Sequence, residues 1–280
     1  MEATEAISQV SQARLILNQQ VRAQRAFSIW VVVWWAIFVS LLIFVFSGST
    51  ITIGPITLQT IQLDQEFIQQ WATFISEGVP KTLEICVESI IFASLLALLA
   101  ALGRLSRLPP VYALSTFYVS LIRGTPLYLQ IFFFFLALPQ LGIVLPGPVA
   151  GVVALSLNYG AYMSEIFRAG ILSVSKGQRE AALALGMTNG QMMRRIVLPQ
   201  ALRLVIPPTG NEFIAMLKDS SLVSATGFVQ EVMWRATKVG RANFRGLEAL
   251  LIAALWYWGM TLIFSALQSQ LEKRMSRGER

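Results

Sequence analysis

The chain is dominated by apolar stretches that are long enough to cross a membrane. It has 280 residues, of which 55% are hydrophobic and only 13% are charged, whereas an ordinary soluble domain carries about 25% charged residues. A helix that crosses the hydrocarbon core needs about 20 largely apolar residues. Such stretches lie at residues 30–46, 82–102, 126–138 (extending back toward 112), 149–167, 198–217 and 249–267. The sequence therefore predicts an all-α integral membrane protein with six transmembrane helices.

The basic residues indicate how these helices are oriented. Arginine and lysine occur before the first stretch, between the second and third, between the fourth and fifth, and in the tail. By the positive-inside rule these segments face the cytoplasm. We therefore expect a multi-pass protein of the cytoplasmic (inner) membrane with both termini cytoplasmic. The loop at residues 218–247 departs from this pattern, because it carries five basic residues on the predicted outer side.

The composition excludes several kinds of active site. The chain has no histidine and a single cysteine, Cys86, so it offers no Ser–His catalysis, no HExxH zinc site and no internal disulfide. It also has no GxxxxGK[ST] loop to hold ATP phosphates. We therefore expect no enzyme activity, no metal and no cofactor of its own. Because the basic residues cluster at the ends of apolar stretches, we expect no nucleic-acid partner.

A short polar and basic segment separates the fourth and fifth stretches. Its helix signals are two capping boxes, at residues 175–178 and 188–191, and a glycine at residue 186 where a left-handed helix end is expected. They predict a helix over residues 176–185 and a second helix that runs to a turn or kink at Pro199. Patterning alone leaves two interpretations open. The segment either docks a soluble partner or is an ordinary amphipathic loop.

The same segment resembles the EAA signature of ABC importer permeases, which reads Glu-Ala-Ala, three residues, Gly, nine residues, Ile, one residue, Leu-Pro. The matching residues are Glu180, Ala181, Ala182, Gly186, Ile196, Leu198 and Pro199. Residues 123–126, 161–165, 177–178 and 217–222 are similar to the polar-amino-acid (histidine, glutamine and glutamate) permeases. The resemblance implies a type I ABC importer permease core, here with an extra N-terminal helix.

The resemblance also implies partners and a mechanism. The EAA helix would sit in a groove on a cytoplasmic ATPase, with Glu180 paired to a basic group, and ATP would be bound by that partner. Closure of an ATPase dimer would drive two permease cores, this chain with a second copy or a paralogue. A binding protein outside would deliver a polar amino acid. The alternatives are a permease of the same architecture for another small solute, such as an opine or methionine, or a secondary transporter without an ATPase.

The resemblance divides the chain into three regions. Residues 1–77 are expected to hold a cytoplasmic segment, the extra transmembrane helix and an outer linker. Residues 78–273 form the permease domain, including the coupling loop at residues 172–200, and residues 274–280 form a cytoplasmic tail. The segment before the first apolar stretch is either a helix on the inner membrane surface or a disordered tail. The linker at residues 47–61 is expected to be extended.

Ionisable groups inside membrane helices are costly, so each is a functional candidate. Glu165 in the fourth stretch either meets the substrate or pairs with Arg168. Ser156, Gly160 and Ser164 are spaced by four residues, which predicts a face where another helix packs closely. We interpret this helix as one that lines the central path.

The fifth stretch contains Pro207, Pro208 and Gly210. We expect a helix break there that lines the path, because irregular backbone in a membrane is tolerated where it lines a cavity. The alternative is a simple kink. In the second stretch Glu84 and Glu88 either form an acidic face that favours a cationic amino acid, or Glu84 pairs with Lys81. The predicted pathway residues are Tyr159, Tyr162, Glu165, Pro207, Pro208, Asn211, Glu212 and Glu88.

Overall fold

The computed structural model, which describes residues 2–54 and 56–276, is built mainly of helices and confirms the predicted all-α class. The helices are α1 (Glu2–Val45), α2 (Gln65–Ser76), α3 (Val79–Arg104), α4 (Pro109–Arg123), α5 (Leu127–Leu136), α6 (Gly147–Ser173), α7 (Lys176–Ala184), α8 (Asn189–Met192), α9 (Leu198–Asp219), α10 (Val232–Ala242) and α11 (Gly246–Ser276). Two 3-10 segments (Leu138–Leu141 and Ser220–Thr226), a π-helical turn (Met193–Val197) and strands β1 (Thr50–Ile53) and β2 (Ile56–Gln59) complete the chain. The tail residues Arg277 and Arg280 lie outside the described residues.

The internal contacts divide the chain into two units, Met1–Gln65 and Glu66–Arg280. In the first unit, α1 extends through both the polar N-terminal segment and the first apolar stretch, so that segment is helical rather than irregular. The linker after α1 is extended as expected, but it also folds back on itself. Its strands pair in antiparallel register, with Thr50 opposite Gln59 and Ile53 opposite Ile56.

Within the described residues, three helical stretches are long and apolar enough to cross a membrane: Arg22–Val45, Gln65–Arg104 and Gly246–Met275. The pair Pro109–Arg123 and Leu127–Leu141 adds a fourth span if its two parts are counted together. The remaining two predicted spans correspond to α6, with 27 residues, and α9, with 22 residues. Both are long enough to cross, but polar residues such as Asn158 and Glu212 make them less apolar.

Helix α6 lies at the centre of the second unit and packs most extensively against α3. The predicted small-residue face makes this contact. Ser156 Oγ donates to the Val152 carbonyl of its own helix at 2.5 Å and lies 3.3 Å from the Ser89 carbonyl oxygen of α3. A methyl group at Gly160 would lie 2.9 Å from Leu96 Cβ and 2.8 Å from Tyr118 Oη, so only glycine allows this approach. The prediction of a close-packing face on α6 is confirmed.

The helix break lies in a different span from the one predicted. Pro207 and Pro208 lie inside α9, which is continuous, so the prediction of a broken fifth helix is wrong. At this point Gln268 of α11 donates to the Pro207 carbonyl at 2.7 Å and packs against Gly210. The break occurs instead between α4 and α5, whose axes are bent by 105°. Pro126 explains that position, since a residue before proline is disfavoured in helical conformation.

Candidate functional site

The coupling loop, residues 172–200, contains the two predicted helices. Ser175 caps α7 by accepting from the Gln178 N–H at 3.4 Å, and Gly186 follows with a positive φ of 79°. Thr188 and Gln191 form the complete capping box at the start of α8. These local signals are confirmed because they depend on groups that are neighbours in the sequence.

Two details of this loop differ from the predictions. The Gln178 side chain does not complete the first capping box, because its Oε1 accepts from Gln200 Nε2 at 2.7 Å and thereby ties α7 to α9. The chain also makes no turn at Pro199. Instead α8 continues through the π-helical turn into α9, and Pro199 is the second residue of α9.

The EAA residues divide between a solvent-facing surface and an anchor. Ala182 is buried, whereas Ala181 and Glu180 are exposed. Glu180 lies 3.4 Å from Lys176, and both side chains are more than half exposed, so this ion pair contributes less than about 1 kcal/mol. Leu185 beside them is 80% exposed. The solvent-facing part of the EAA segment therefore presents a weakly held carboxylate, an alanine and an exposed leucine.

The remaining matched residues lie away from that surface. Gly186 and Pro199 are exposed, while Ile196 and Leu198 are half-buried in the passage from the π-helical turn to α9. Arg179, which the sequence analysis missed, donates from its guanidinium to the Ile171 carbonyl near the end of α6. This bond holds α7 against the membrane helix that precedes it.

Glu165 joins three helices through ion pairs. Its Oε1 accepts from Arg104 Nη1 at 2.5 Å and from Arg123 Nη1 at 3.0 Å, and its Oε2 accepts from Arg168 Nε at 3.1 Å. The expected pairing with Arg168 is therefore confirmed, and α3 and α4 contribute two further arginines. Arg123 also lies over the ring of the exposed Tyr162, 5.2 Å from its centroid.

A second polar contact links α6 and α9. Tyr159 Oη donates to Asp219 Oδ2 at 2.8 Å. Asp219 and Glu212 are both half-buried and lie seven residues apart, on the same face of α9. Asp219 was not among the predicted pathway residues, although it lies in the family-like segment at residues 217–222 and at the end of an apolar stretch.

The other predicted pathway residues are dispersed. Lys81 Nζ donates to Glu84 Oε1 at 2.6 Å. Of the two interpretations of Glu84, this contact matches the pairing with Lys81. Glu88 is exposed on α3, and Asn211 is exposed on α9 after Pro207 and Pro208.

In the part of the chain that the structure describes, no group of three or more histidine, cysteine, aspartate or glutamate side chains could hold a metal ion.

A buried carboxylate outside the membrane-spanning helices was also missed. Glu231 is fully buried and caps α10 by accepting from the N–H groups of Met233 at 2.9 Å and Trp234 at 2.6 Å. Tyr257 of α11 donates a further hydrogen bond to it. Burial raises the pKa of Glu231 to about 7, although these hydrogen bonds act to lower it.

Comparison with known proteins identifies this architecture. Residues 93–277 match the family described as "Binding-protein-dependent transport system inner membrane component". The L-cystine transport system permease protein TcyB of Bacillus subtilis is 41% identical over 75% of this chain and 89% of its own length. The arginine transport system permease protein ArtQ of the same organism is 42% identical over 74% of this chain and 94% of its own length.

Solved structures agree with this assignment. A chain from the crystal structure of an amino acid ABC transporter with histidines superposes with a TM-score of 0.70 at 38% identity, covering 76% of this chain and 99% of that one. A chain of the inward-facing methionine ABC transporter MetNI shares the fold, with a TM-score of 0.59 at 15% identity over 76% of this chain and 99% of its own.

These matches confirm the resemblance carried by the EAA signature. The relatives favour an amino-acid permease over both alternatives, a permease for another kind of solute and a transporter without an ATPase. The family implies partnership with an ATPase and with a binding protein. The chain belongs to the permease subunits of binding-protein-dependent ABC importers for amino acids, which are membrane transport components and not enzymes.

Proposed function

We propose that this permease imports a polar amino acid whose ammonium group passes Asp219, Glu212 and Tyr159. The observation that carries the proposal is the hydrogen bond from Tyr159 to Asp219, which joins α6 and α9. Carboxylates on membrane helices are costly and mark solute paths. Two carboxylates and a phenol oxygen offer acceptors to an ammonium group, which is common to the cystine, arginine and glutamine named for the relatives.

The proposed path also includes residues near this pair. Tyr162 lies one turn of α6 beyond Tyr159, and Asn211 precedes Glu212 on α9, after Pro207 and Pro208. We keep Glu88 in the path because it is exposed on α3, the helix that packs most closely on α6. Glu165 has a positioning role in this proposal, since its carboxylate is engaged by three arginines.

The coupling loop is the proposed docking surface for the ATPase. The exposure of Glu180, Ala181 and Leu185, on and directly after α7, supports this assignment. The assembly we propose contains two such permeases, either two copies of this chain or this chain with a paralogue, on an ATPase dimer. Both termini and the coupling loop then face the cytoplasm, and the binding protein docks on the opposite side.

We retain the division into residues 1–77, 78–273 and 274–280 as part of this proposal. The permease domain at residues 78–273 contains α3 to α10, most of α11 and the coupling loop. Residues 1–77 contain the extra helix α1, which lies outside the matched family segment.

The experiment that tests this function is ATP hydrolysis by the chain purified with its ATPase and its binding protein and reconstituted in liposomes. We expect hydrolysis and uptake to be stimulated by one or a few polar amino acids from a panel. No response to any amino acid would contradict the proposed substrate class. Uptake that follows an ion gradient without ATP would contradict the coupling to an ATPase.

The proposed path is tested separately in the same liposomes. Asp219→Asn keeps the shape of the side chain and removes its charge, so we expect at least about a tenfold loss of uptake, the scale of one hydrogen bond to a charged group. Glu84→Gln is the matched control, because Glu84 is exposed and pairs only with Lys81 beside it. Equal uptake by the two variants would exclude Asp219 from the path.

A further inference from the structure

A cavity of about 520 Å³ lies between α5, the 3-10 segment Ser220–Thr226 and α10. We name it the outer cavity, and its lining residues are Tyr128, Ser224, Ala225, Gly227, Trp234, Thr237, Lys238 and Arg241. Its volume lies within the usual range of small-molecule sites, roughly 300–1,000 Å³. The lining combines cations, hydroxyl groups and aromatic rings, and contains no acidic side chain.

Lys238 and Arg241, the two basic residues of the outer cavity, differ from Arg235 on the same helix in their contacts. Among the described residues, no ion pair is found for Lys238 or Arg241, and Lys238 Nζ lies over the Trp234 ring, 4.7 Å from its centroid. Arg235, on the same helix, instead donates to Glu77 at 2.6 Å and to the Phe74 carbonyl at 3.0 Å. The cationic groups of the cavity are therefore available to an anion.

The hydroxyl groups of the outer cavity complement this charge. Ser224 Oγ donates to the Ser221 carbonyl at 2.6 Å, and Thr237 Oγ1 donates to the Trp234 carbonyl at 3.0 Å. Since each hydroxyl already uses its proton, its oxygen is left to accept a hydrogen bond. The cavity thus offers donors for a carboxylate at one place and acceptors for an ammonium group at another.

The position of the outer cavity in the chain adds a second argument. It is built from the loop at residues 218–247, whose basic residues run against the positive-inside rule in the proposed orientation. Cations on the outer side do not help to orient the helices, so they call for another explanation. This is also the side from which the substrate of an importer arrives.

We propose that the outer cavity is a binding site for the zwitterionic head group of an amino acid. The α-carboxylate contacts Lys238 and Arg241, the α-ammonium faces the hydroxyl oxygens of Ser224 and Thr237, and Trp234 and Tyr128 cover the side chain. The site rests on the proposed function, because it would receive the amino acid before the path beside Asp219. A planar guanidinium and an ammonium group together suit a carboxylate.

The test is equilibrium dialysis of radiolabelled L-arginine and L-glutamine against the purified permease–ATPase complex without its binding protein. Each measurement is repeated with Asp219→Asn in every chain, so that label held beside Asp219 is distinguished from label in the outer cavity. We expect the double variant Lys238→Gln with Arg241→Gln to bind at least about tenfold more weakly, since each lost contact is a hydrogen bond to a charged group. Arg235→Gln is the matched control on the same helix and should bind as the wild type does. Thermal unfolding of each variant checks that it is folded.

A competition experiment needs no variant. The α-carboxamide of the same amino acid should not displace the label from the wild-type complex, because it lacks the carboxylate. Equal binding by the double variant, or displacement by the carboxamide, would overturn the proposal. Displacement by inorganic phosphate but not by unlabelled amino acid would also overturn it. If the wild type shows no amino-acid-stimulated ATP hydrolysis with its binding protein, the proposed function itself fails.

Discussion

Tyr257 donates a hydrogen bond to Glu231 and thereby joins α11 to the start of α10. Glu231 is fully buried, and it also caps α10 through two backbone N–H groups. The hydrogen bonds from these donors stabilise the Glu231 carboxyl in this position. Burial nevertheless disfavours its ionised form, because water cannot solvate the charge. The pair therefore links the stability of the loop at residues 218–247 to pH.

The first prediction concerns this pH dependence. The pKa of Glu231 is raised from 4.5 to about 7, so between these values the folded chain binds more protons than the unfolded chain. Its stability should fall as pH rises from about 4.5 to 7, by on the order of 3 kcal/mol. The chain has no histidine to add a slope of its own in this range. Thermal unfolding of the purified chain in detergent from pH 5 to 8 measures the effect.

The control for this prediction is Glu231→Gln, which removes the titrating group and keeps its shape. Its unfolding temperature should vary less between pH 5 and 7 than that of the wild type, because the amide does not ionise. Profiles of wild type and variant that run parallel over this range would show that Glu231 is not the group responsible.

The second prediction concerns the carboxylate shared by three arginines. Glu165→Gln leaves Arg104, Arg123 and Arg168 close together without an opposite charge. Breaking a fully buried pair costs about 3–5 kcal/mol, and these side chains are 19–42% exposed, so we expect a smaller loss of about 1–2 kcal/mol. Glu84→Gln, which breaks an exposed pair, should cost less than about 1 kcal/mol. Thermal unfolding of both variants at low ionic strength makes the comparison, and equal losses would contradict it.

The third prediction concerns the contact between α3 and α6. Gly160→Ala forces a methyl group against Leu96 and Tyr118, and overpacking of this kind costs about 1–3 kcal/mol. Gly259→Ala is the control, because no atom lies within 4 Å of its added methyl group and alanine favours a helix interior. The first variant should unfold at a lower temperature than wild type and the second should not. A Gly160→Ala variant as stable as wild type would mean that α3 and α6 separate without cost.

The fourth prediction concerns Glu180 in the coupling loop. Glu180→Lys reverses a charge that is exposed and only weakly held by Lys176, so we expect insertion and expression to be unchanged. If the carboxylate pairs with a basic group of the ATPase, the variant should lose transport and should no longer co-purify with the ATPase. Glu84→Lys provides the same substitution at an exposed site away from the coupling loop and should retain both. Full uptake by Glu180→Lys would refute the docking role.

Local and periodic features were predictable from the sequence because each depends on residues close together in the chain. Apolar length identified the membrane class, since the bilayer core sets the length of a helix that crosses it. The caps at Ser175 and Thr188 and the left-handed Gly186 follow from hydrogen bonds within three or four residues. The spacing of Ser156, Gly160 and Ser164 identified a packing face in the same way.

Only the tertiary structure decided which polar groups meet. Arg104 lies 61 residues from Glu165 in the sequence, and Tyr159 lies 60 residues from Asp219. Periodicity indicates which face of a helix a residue occupies, but it does not indicate which residue of another helix lies next to it. The break shows the same limit. Two prolines predicted it in α9, yet that helix is continuous and Gln268 of α11 contacts it at Pro207. The bend lies instead at Pro126, where the chain turns between α4 and α5.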